Sequence, residues 1–184
     1  MVNESKIEQA IKLLLEGVGE DINREGLLDT PKRVANMYKE IFKDNSNLEL
    51  TTFSNSKNYD QIVLIKDINY FSFCEHHLLP FYGKAHIGYL PDKRYIGLSK
   101  IARIVEIFSN RLQVQERLTQ QIATYINDNL IPLGVGVIIE GHHLCMSMRG
   151  VKKTNHQTIT SCLLGNFRKQ EVKNEFINLI RRNM

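Results

Sequence analysis

The chain has 184 residues, 42% of them hydrophobic and 24% charged, with a formal net charge of +4. This length suits one domain, or one domain with a helical extension, and no apolar run approaches the roughly 20 residues of a membrane span. The modest charge is compatible with an anionic small molecule but is too weak by itself to indicate nucleic acid. The N-terminus lacks the pattern of a signal peptide, so we expect a cytoplasmic protein. In that compartment, ligands, reactive thiols or core residues are more typical roles for its three cysteines than disulfides.

The first part of the chain, residues 1–57, is predicted to be a helical N-terminal region. Ser5 and Glu8 match a capping box ahead of apolar residues at helical spacing. Thr30-Pro31 predicts the start of a second helix, because a capping residue precedes a proline at the first helical position. Residues 44–57 are polar and rich in Asn and Ser, which indicates a loop and a boundary before residue 58.

The second part, residues 58–184, is predicted to form a single α+β domain that carries the chemistry. Its strands and helices follow from alternating and helical apolar spacing, respectively. The predicted strands cover 61–68, 84–90, 135–149 and 158–163. One predicted helix begins at the cap Ser99, a second runs from about 115 to 129, and a last one includes 172–180. This order predicts an antiparallel four-stranded sheet with two helices on one face. Because such a sheet has exposed edges and an uncovered face, we expect an oligomer.

Two compact groups of thiols and imidazoles stand out in this domain. They are Cys74-Glu75-His76-His77 and His143-Leu144-Cys145. Thiolate and neutral imidazole are ligand types that zinc prefers, and Cys74 and His77 are close enough in sequence to reach one ion from a short turn. With Cys145 they would make three ligands, which leaves the fourth tetrahedral position open, as in catalytic rather than structural zinc sites. His76 and His143 would remain as unbound imidazoles suited to proton transfer.

The segment 143–149 is interpreted as a strand whose polar residues share one face. His143, Cys145, Ser147 and Arg149 would then line a site, opposite an apolar face. A solvated strand face is an equally good interpretation of this pattern alone. Ordinary structural roles are expected for the other histidines and the remaining cysteine, with His86 on the outer strand face: His142, His86, His156 and Cys162.

Two predicted helix starts carry candidate substrate contacts. Glu116 follows Gln115 at one of them, where a carboxylate is also favoured simply by the helix N-terminus. Ser99 lies at the other, where backbone N–H groups point outward. Cationic side chains that could bind phosphates, or could be ordinary surface charge, are Lys100, Arg103 and Arg149. The sequence has no P-loop or G-x-G-x-x-G motif, so a phosphate would be held by side chains and helix ends.

These groups, in this order and spacing, resemble type I GTP cyclohydrolase from about Glu25 to Ile180. The motifs that carry the resemblance are Cys74-Glu75-His76-His77-Leu78-Leu79-Pro80-Phe81, Gly97-Leu98-Ser99-Lys100, Arg111-Leu112-Gln113-Val114-Gln115-Glu116-Arg117-Leu118, His143-Leu144-Cys145-Met146 and Arg149-Gly150-Val151. Departures from the family pattern occur at Asn110, Thr154-Asn155-His156-Gln157 and Cys162.

The resemblance implies a tunnelling fold, in which sheets of neighbouring subunits join into barrels, and a homodecamer of two stacked pentamers. It implies an enzyme, a hydrolase of cyclic amidine C–N bonds. This enzyme converts GTP and water to 7,8-dihydroneopterin triphosphate and formate, the first step of tetrahydrofolate and pterin biosynthesis. One Zn²⁺ per subunit is implied on Cys74, His77 and Cys145.

Roles for the other site residues also follow from the resemblance. The implied catalytic residues are His76, His143 and Ser99. The implied substrate-binding residues are Leu98, Ser99, Lys100, Arg103, Gln115, Glu116 and Arg149, with Gln115 and Glu116 reading guanine. Neither nucleic acid nor membrane is an expected partner.

Two alternatives remain open from the sequence. The chain could be another pterin- or purine-handling enzyme of the same fold. It could also be a nucleic-acid-binding module with a structural zinc, although such a zinc would need a fourth protein ligand and no further Cys or His is well placed to supply it.

Overall fold

The computed structural model describes residues 2–42 and 49–182. The chain divides into two compact units, Met1–Asn45 and Ser46–Met184. The division predicted from the sequence, into residues 1–57 and 58–184, remains a prediction. Within the described residues, no helix has both the length and the apolar character needed to cross a membrane.

Over residues 2–42, the N-terminal unit contains two helices, α1 (Glu4–Gly17) and α2 (Thr30–Ile41). The predicted capping box is wrong, because helix α1 begins after Asn3, whose side-chain oxygen accepts the backbone N–H of Lys6 at 3.0 Å. The residue that caps α2 is Asp29 rather than Thr30, with proline in the first turn as predicted. The two helices are linked by an ion pair between Lys39 and Glu4, 2.7 Å apart.

The second unit begins with four strands and then alternates between helices and strands up to its last strand. In the described residues its elements are β1 (Thr52–Ser54), β2 (Val63–Cys74), β3 (Pro80–Leu90), β4 (Arg94–Ile96), α3 (Leu98–Ser109), β5 (Leu112–Gln113), α4 (Gln115–Leu130), β6 (Gly134–His143), α5 (Leu144–Ser147), β7 (Thr158–Gly165), a short 3-10 helix (Asn166–Arg168) and α6 (Gln170–Arg181). The predicted strand-strand-helix-helix-strand-strand order is therefore present in an α+β unit.

The main sheet has the order β5-β2-β3-β6-β7. Strands β2, β3, β6 and β7 are antiparallel neighbours, as predicted, and the two-residue strand β5 adds a parallel edge beside β2. Strand β1 forms a separate pair with β4. The predicted loop over 44–57 is thus wrong at Thr52–Ser54, where pairing with a distant segment overrides the polar composition.

Helices α3 and α4 cover one face of the sheet. Side chains on that face are fully buried and include Ile87 and Val137 on the strands and Ile104 and Ile122 on the helices. The prediction that Ser99 caps α3 is wrong, because Gly97 occupies the cap position in extended conformation.

The opposite face is partly covered by α6 and the 3-10 helix. Phe167 and Phe176 are fully buried there, with ring centroids 5.2 Å apart. A side chain at Gly136 would place its Cβ 2.3 Å from the Phe167 ring, so glycine is needed for this close packing. The prediction that one face of the sheet is uncovered is therefore wrong for the part of that face that α6 and the 3-10 helix cover.

Strand β2 is interrupted by a bulge between Ile65 and Ile68. Asp67 in this bulge has a φ of +60°, and its backbone N–H donates to His86 Nδ1 at 3.2 Å. His86 is only 3% exposed, so it is a buried residue of the outer strand face rather than a solvated one. Its burial lowers its pKa, against the favourable charges of Glu140 and Asp67 and together with the unfavourable charges of Lys84 and Lys66.

Candidate metal centre

The ends of β2 and β6 bring the predicted ligands together. Cys74, His77 and Cys145 each present one ligand atom, and these atoms lie within 4.8 Å of one another. Cys74 Sγ is 3.7 Å from His77 Nδ1. Among the described residues this is the one group of three or more His, Cys, Asp or Glu side chains arranged to hold a metal ion. Two thiols and an imidazole suit zinc in both number and chemistry.

The turn that follows Cys74 is held by its own backbone. The N–H groups of His77 and Leu78 both donate to the Cys74 carbonyl, at 3.3 and 2.9 Å, and Leu78 adopts a left-handed φ of +53°. The Cys74 N–H donates in turn to the Leu79 carbonyl at 2.9 Å, immediately before β3 begins at Pro80. The sequence therefore folds into a short turn that presents Cys74 and His77 on the same side.

Cys145 lies in a one-turn helix, so the predicted strand over 143–149 is wrong beyond His143. Ser147 Oγ donates to the His143 carbonyl at 3.1 Å inside this turn and is not part of a polar strand face. Burial raises the pKa of the Cys145 thiol, as does the neighbouring Cys74 thiol, while Arg149 opposes the shift. A bound cation would favour the thiolate forms and so would oppose both the effect of burial and the effect of the neighbouring thiol.

His143 lies beside this cluster, at the end of β6. Its ring stacks on Phe81, with centroids 4.7 Å apart and an interplanar angle of 4°. Its Nδ1 is buried without a hydrogen-bond partner, and burial lowers the pKa of the ring. His76 is exposed in the turn, with its Nδ1 3.9 Å from Cys74 Sγ.

Gln115 and Glu116 begin α4 but point to different environments. Gln115 is 2% exposed, and its side-chain N–H₂ donates to the carbonyls of Ile139 and Thr158, both at 2.9 Å, and to Thr160 Oγ1 at 3.1 Å. Glycine at 141 leaves room for this amide, because a Cβ there would lie 2.2 Å from Gln115 Oε1. Glu116 is exposed in the first turn of α4.

The predicted phosphate contacts separate into two places. Arg149 lies at the metal cluster, where its Nη2 is 2.5 Å from His77 Nε2. The other predicted contacts lie at the start of α3, which follows β4. This start is at the end of the sheet where Leu90 pairs with Gly134. The metal cluster is at the opposite end, where Phe81 pairs with His143. Helix α3 has 12 residues and is about 18 Å long, and it leads toward the metal end. The residues at its distant start are Leu98, Ser99, Lys100 and Arg103.

Sequence reasoning missed one pair at the centre, Glu75 and Arg117. The Arg117 guanidinium donates to the Glu75 carboxylate and lowers the pKa of that carboxyl group. The two residues are far apart in sequence, and no spacing rule connects a turn after β2 with the first turn of α4.

All the residues of this site lie in the part of the chain that matches one protein family. The model of the family described as GTP cyclohydrolase I matches residues 7–181. The proteins named GTP cyclohydrolase 1 from Sulfurihydrogenibium sp. (strain YO3AOP1) and Aquifex aeolicus (strain VF5) are 54% and 51% identical to this chain. Both alignments cover 98% of this chain, and they cover 96% and 98% of the relatives. The one from Saccharomyces cerevisiae is 49% identical over 96% of this chain and 74% of its own length.

The chain belongs to the GTP cyclohydrolase I family. The resemblance inferred from the sequence motifs is thereby confirmed, as is the prediction of an enzyme, a GTP cyclohydrolase. Within this family the Cys74, His77 and Cys145 group is a possible metal site. The roles assigned to the individual site residues and the cytoplasmic location stay predictions.

Proposed function

We propose that the chain catalyses the zinc-dependent hydrolysis and rearrangement of GTP to 7,8-dihydroneopterin triphosphate and formate, the first step of tetrahydrofolate and pterin biosynthesis. The observation that carries the proposal is the convergence of the Cys74, His77 and Cys145 ligand atoms within 4.8 Å, in a chain of the GTP cyclohydrolase I family. One zinc per subunit would be held by these residues. A zinc ion with three protein ligands supplies Lewis-acid chemistry and lowers the pKa of a bound water to about 7.

His143 and His76 are proposed to move the protons. Ring opening, release of formate and rearrangement of the ribose each require proton transfer, and imidazole is the side chain best suited to it near neutral pH. Burial lowers the pKa of His143 and so favours the neutral imidazole that a base requires, and its stacking on Phe81 supports a fixed ring orientation. His76 is exposed beside the ligands and is free to meet a substrate.

Glu116 is proposed to read the guanine base. Guanine offers two adjacent donors, N1–H and the 2-amino group, and a carboxylate accepts from both. The exposed position of Glu116 at the start of α4 supports this role. Gln115 is also proposed to contact guanine. Because its side-chain amide is engaged with β6 and β7, such a contact would come from its backbone.

The triphosphate and ribose are proposed to be held by two sets of residues from different subunits. Arg149 adjoins His77, whereas the start of α3 is separated from the metal end of the sheet by the length of that helix. One GTP molecule therefore reaches both sets most directly if a second copy contributes its α3. The contributed residues would be Leu98, Ser99, Lys100 and Arg103, with Ser99 also assisting catalysis. This supports the tunnelling-fold homodecamer implied by the resemblance, with residues 1–57 as its helical extension.

The test is turnover of GTP by the purified chain, followed as a fluorescent pterin after oxidation and as released formate. We expect both products in equal amounts, loss of both on chelation of zinc, and recovery when zinc is restored. Turnover by a verified zinc-free protein would contradict the metal assignment. Formate without a pterin would indicate a different purine-handling reaction of the same fold.

A further inference from the structure

We propose that Arg117 and Glu75 form a clamp that positions the metal-binding turn, Cys74-Glu75-His76-His77, against the start of α4. Both are positioning residues, because they act on the ligands and on His76 rather than on substrate. The proposal rests on the proposed metal site and deepens it. It concerns how a short, largely exposed turn keeps two ligands directed at the point that Cys145 also reaches.

The Arg117 guanidinium bonds to three groups at once. Its Nη2 donates to the Glu75 carboxylate and, at 3.3 Å, to the Leu112 carbonyl, while its Nε donates to Gln113 Oε1 at 2.9 Å. The rigid planar fork of arginine suits such simultaneous contacts, whereas lysine offers a single flexible ammonium. Arg117 therefore connects the turn directly to strand β5.

Strand β5 is itself firmly anchored. Gln113 is fully buried, and its side-chain amide donates to the Phe108 carbonyl and to Gln121 Oε1, both at 2.8 Å. Its backbone carbonyl accepts the Glu75 N–H at 3.1 Å, and Gln113 pairs with Cys74 in the parallel ladder. The clamp is thus attached at one end to the packed helices α3 and α4 and at the other to the turn.

Glu75 is placed to transmit this restraint to the site. It lies between Cys74 and His76 in the chain, and its second carboxylate oxygen is 3.9 Å from His76 Nε2. The three residues that follow it, His76, His77 and Leu78, are exposed. Without the clamp, His77 would be held by the backbone bonds within the turn, by the Glu75 N–H and by the contact of its Nε2 with Arg149. None of these fixes the side of the turn that faces α4.

The competing interpretations are an ordinary surface ion pair and a cation for the triphosphate. The Arg117 and Glu75 side chains are 42% and 33% exposed, so the pair adds little to the free energy of unfolding in either case. A surface pair would leave metal affinity unchanged on mutation. A triphosphate contact would raise the KM for GTP. A positioning clamp predicts weaker metal binding, and groups that orient metal ligands typically contribute 10- to 100-fold in affinity or activity.

The experiment compares full-length wild type with Arg117→Met, Arg117→Lys, Glu75→Gln and the double variant Arg117→Met/Glu75→Gln. Zinc affinity is measured by competition with a chromophoric chelator, and kcat and KM for GTP are measured at saturating zinc. Arg24→Met is the matched control, because Arg24 forms an ion pair of similar exposure with Glu20 inside the N-terminal unit. Thermal unfolding of each protein verifies the fold.

We expect Arg117→Met and Glu75→Gln each to weaken zinc binding by about 10- to 100-fold. The double variant should be no worse than either single one, because both remove the same interaction. Arg117→Lys should recover part of the affinity, and the KM for GTP should change less than kcat. Glu75→Gln is nearly isosteric and keeps the test valid should Arg117→Met fold poorly.

Unchanged zinc affinity in the Arg117→Met and Glu75→Gln variants, or losses that add in the double variant, would overturn the clamp. A rise in KM alone would assign Arg117 to the triphosphate instead. Failure of the proposed reaction is separately visible, as wild-type protein that binds zinc but does not convert GTP. Failure of wild type to bind zinc would overturn the metal site and the clamp together.

Discussion

Gln115 and Glu116 are adjacent in sequence, but their mutation should have different effects. Mutation of Gln115 should lower stability, and mutation of Glu116 should lower activity toward GTP. Gln115→Met keeps the approximate shape of the side chain and removes its amide. Two backbone carbonyls, that of buried Ile139 and that of half-buried Thr158, then lose a donor. Thr160 Oγ1 keeps a partner, because it is also 2.6 Å from Thr119 Oγ1.

The magnitude follows from these contacts. Each carbonyl left without a partner costs about 1–3 kcal/mol, toward the lower end for the half-buried one, or about 2–6 kcal/mol for two. Removing Gln115 Oε1, which is buried without a partner, returns about 1–3 kcal/mol. The net loss in the free energy of unfolding is therefore about 2 kcal/mol. This corresponds to a decrease in Tm of about 4–8 °C for a chain of this size.

Glu116→Gln should leave stability nearly unchanged, because Glu116 is exposed and its interaction with the helix N-terminus contributes about 0.3–1 kcal/mol. It should instead lower kcat/KM for GTP by about 10- to 100-fold, the equivalent of one charged hydrogen bond of about 1.5–3 kcal/mol. Inosine triphosphate lacks the 2-amino group, so its smaller kcat/KM should fall less in this variant. The affected interaction would then be the one with that amino group.

The assay is scanning calorimetry and steady-state kinetics on wild type and both variants at one protein concentration, with GTP and inosine triphosphate as substrates. A Gln115→Met protein with unchanged Tm and a raised KM for GTP would refute the structural role and make the side chain a guanine contact. Equal losses for both nucleotides in Glu116→Gln would refute the reading of the 2-amino group.

Three further predictions concern the ligands, the buried histidine and the C-terminal helix. Cys145→Ala should lose bound zinc, whereas His143→Ala and His76→Ala should retain about one zinc per chain and lose turnover; loss of zinc from either histidine variant at retained fold would show the ligand set to be wrong. The pKa of His86 is lowered by burial, so the unfolded chain binds more protons below about pH 6.5. The free energy of unfolding should therefore decrease as the pH falls through that value, by at most about 1.4 kcal/mol per pH unit for this group. His86→Asn, which keeps an acceptor for the Asp67 N–H, should flatten this dependence, and identical pH profiles of Tm would contradict the assignment. Phe176→Ala should cost about 3–5 kcal/mol and lower Tm by about 10 °C, because its ring is fully buried against Phe167. Ile159→Ala, at a position 61% exposed, is the control and should change Tm little, so equal effects would show that Phe176 does not anchor α6.

The parts of the fold that the sequence predicted correctly are those with a strong local period. The β3 strand and the α4 helix follow from apolar spacing, and the turn from Cys74 to His77 follows from ligand spacing. The alternation after His143 was misleading. Met146 and Met148 alternate with polar residues and would form the apolar face of the predicted strand, but they are 37% and 62% exposed in and just after α5. Alternation over so few residues does not distinguish a strand from a single helical turn.

The features that the sequence did not predict depend on contacts between distant segments. Strand β1 exists because Thr52–Ser54 meets Arg94–Ile96. The inward direction of the Gln115 side chain depends on acceptors supplied by β6 and β7. The Arg117–Glu75 contact joins elements that become neighbours only when β5 aligns beside β2. Local patterns do not contain these pairings, which are set by the tertiary fold.

The surroundings of the metal cluster support the proposal that a second copy of the chain completes the site. The turn residue Leu78 and the β5 residue Leu112 are 53% and 41% exposed, and Met148 is also exposed. Exposed apolar side chains grouped near a charged site are typical of surfaces that another molecule covers. Exclusion of water also strengthens the interactions of a site with developing charge. A second copy that covers these side chains and contributes the cationic start of α3 would meet both requirements, which is why we regard subunit assembly and catalysis as parts of one proposal.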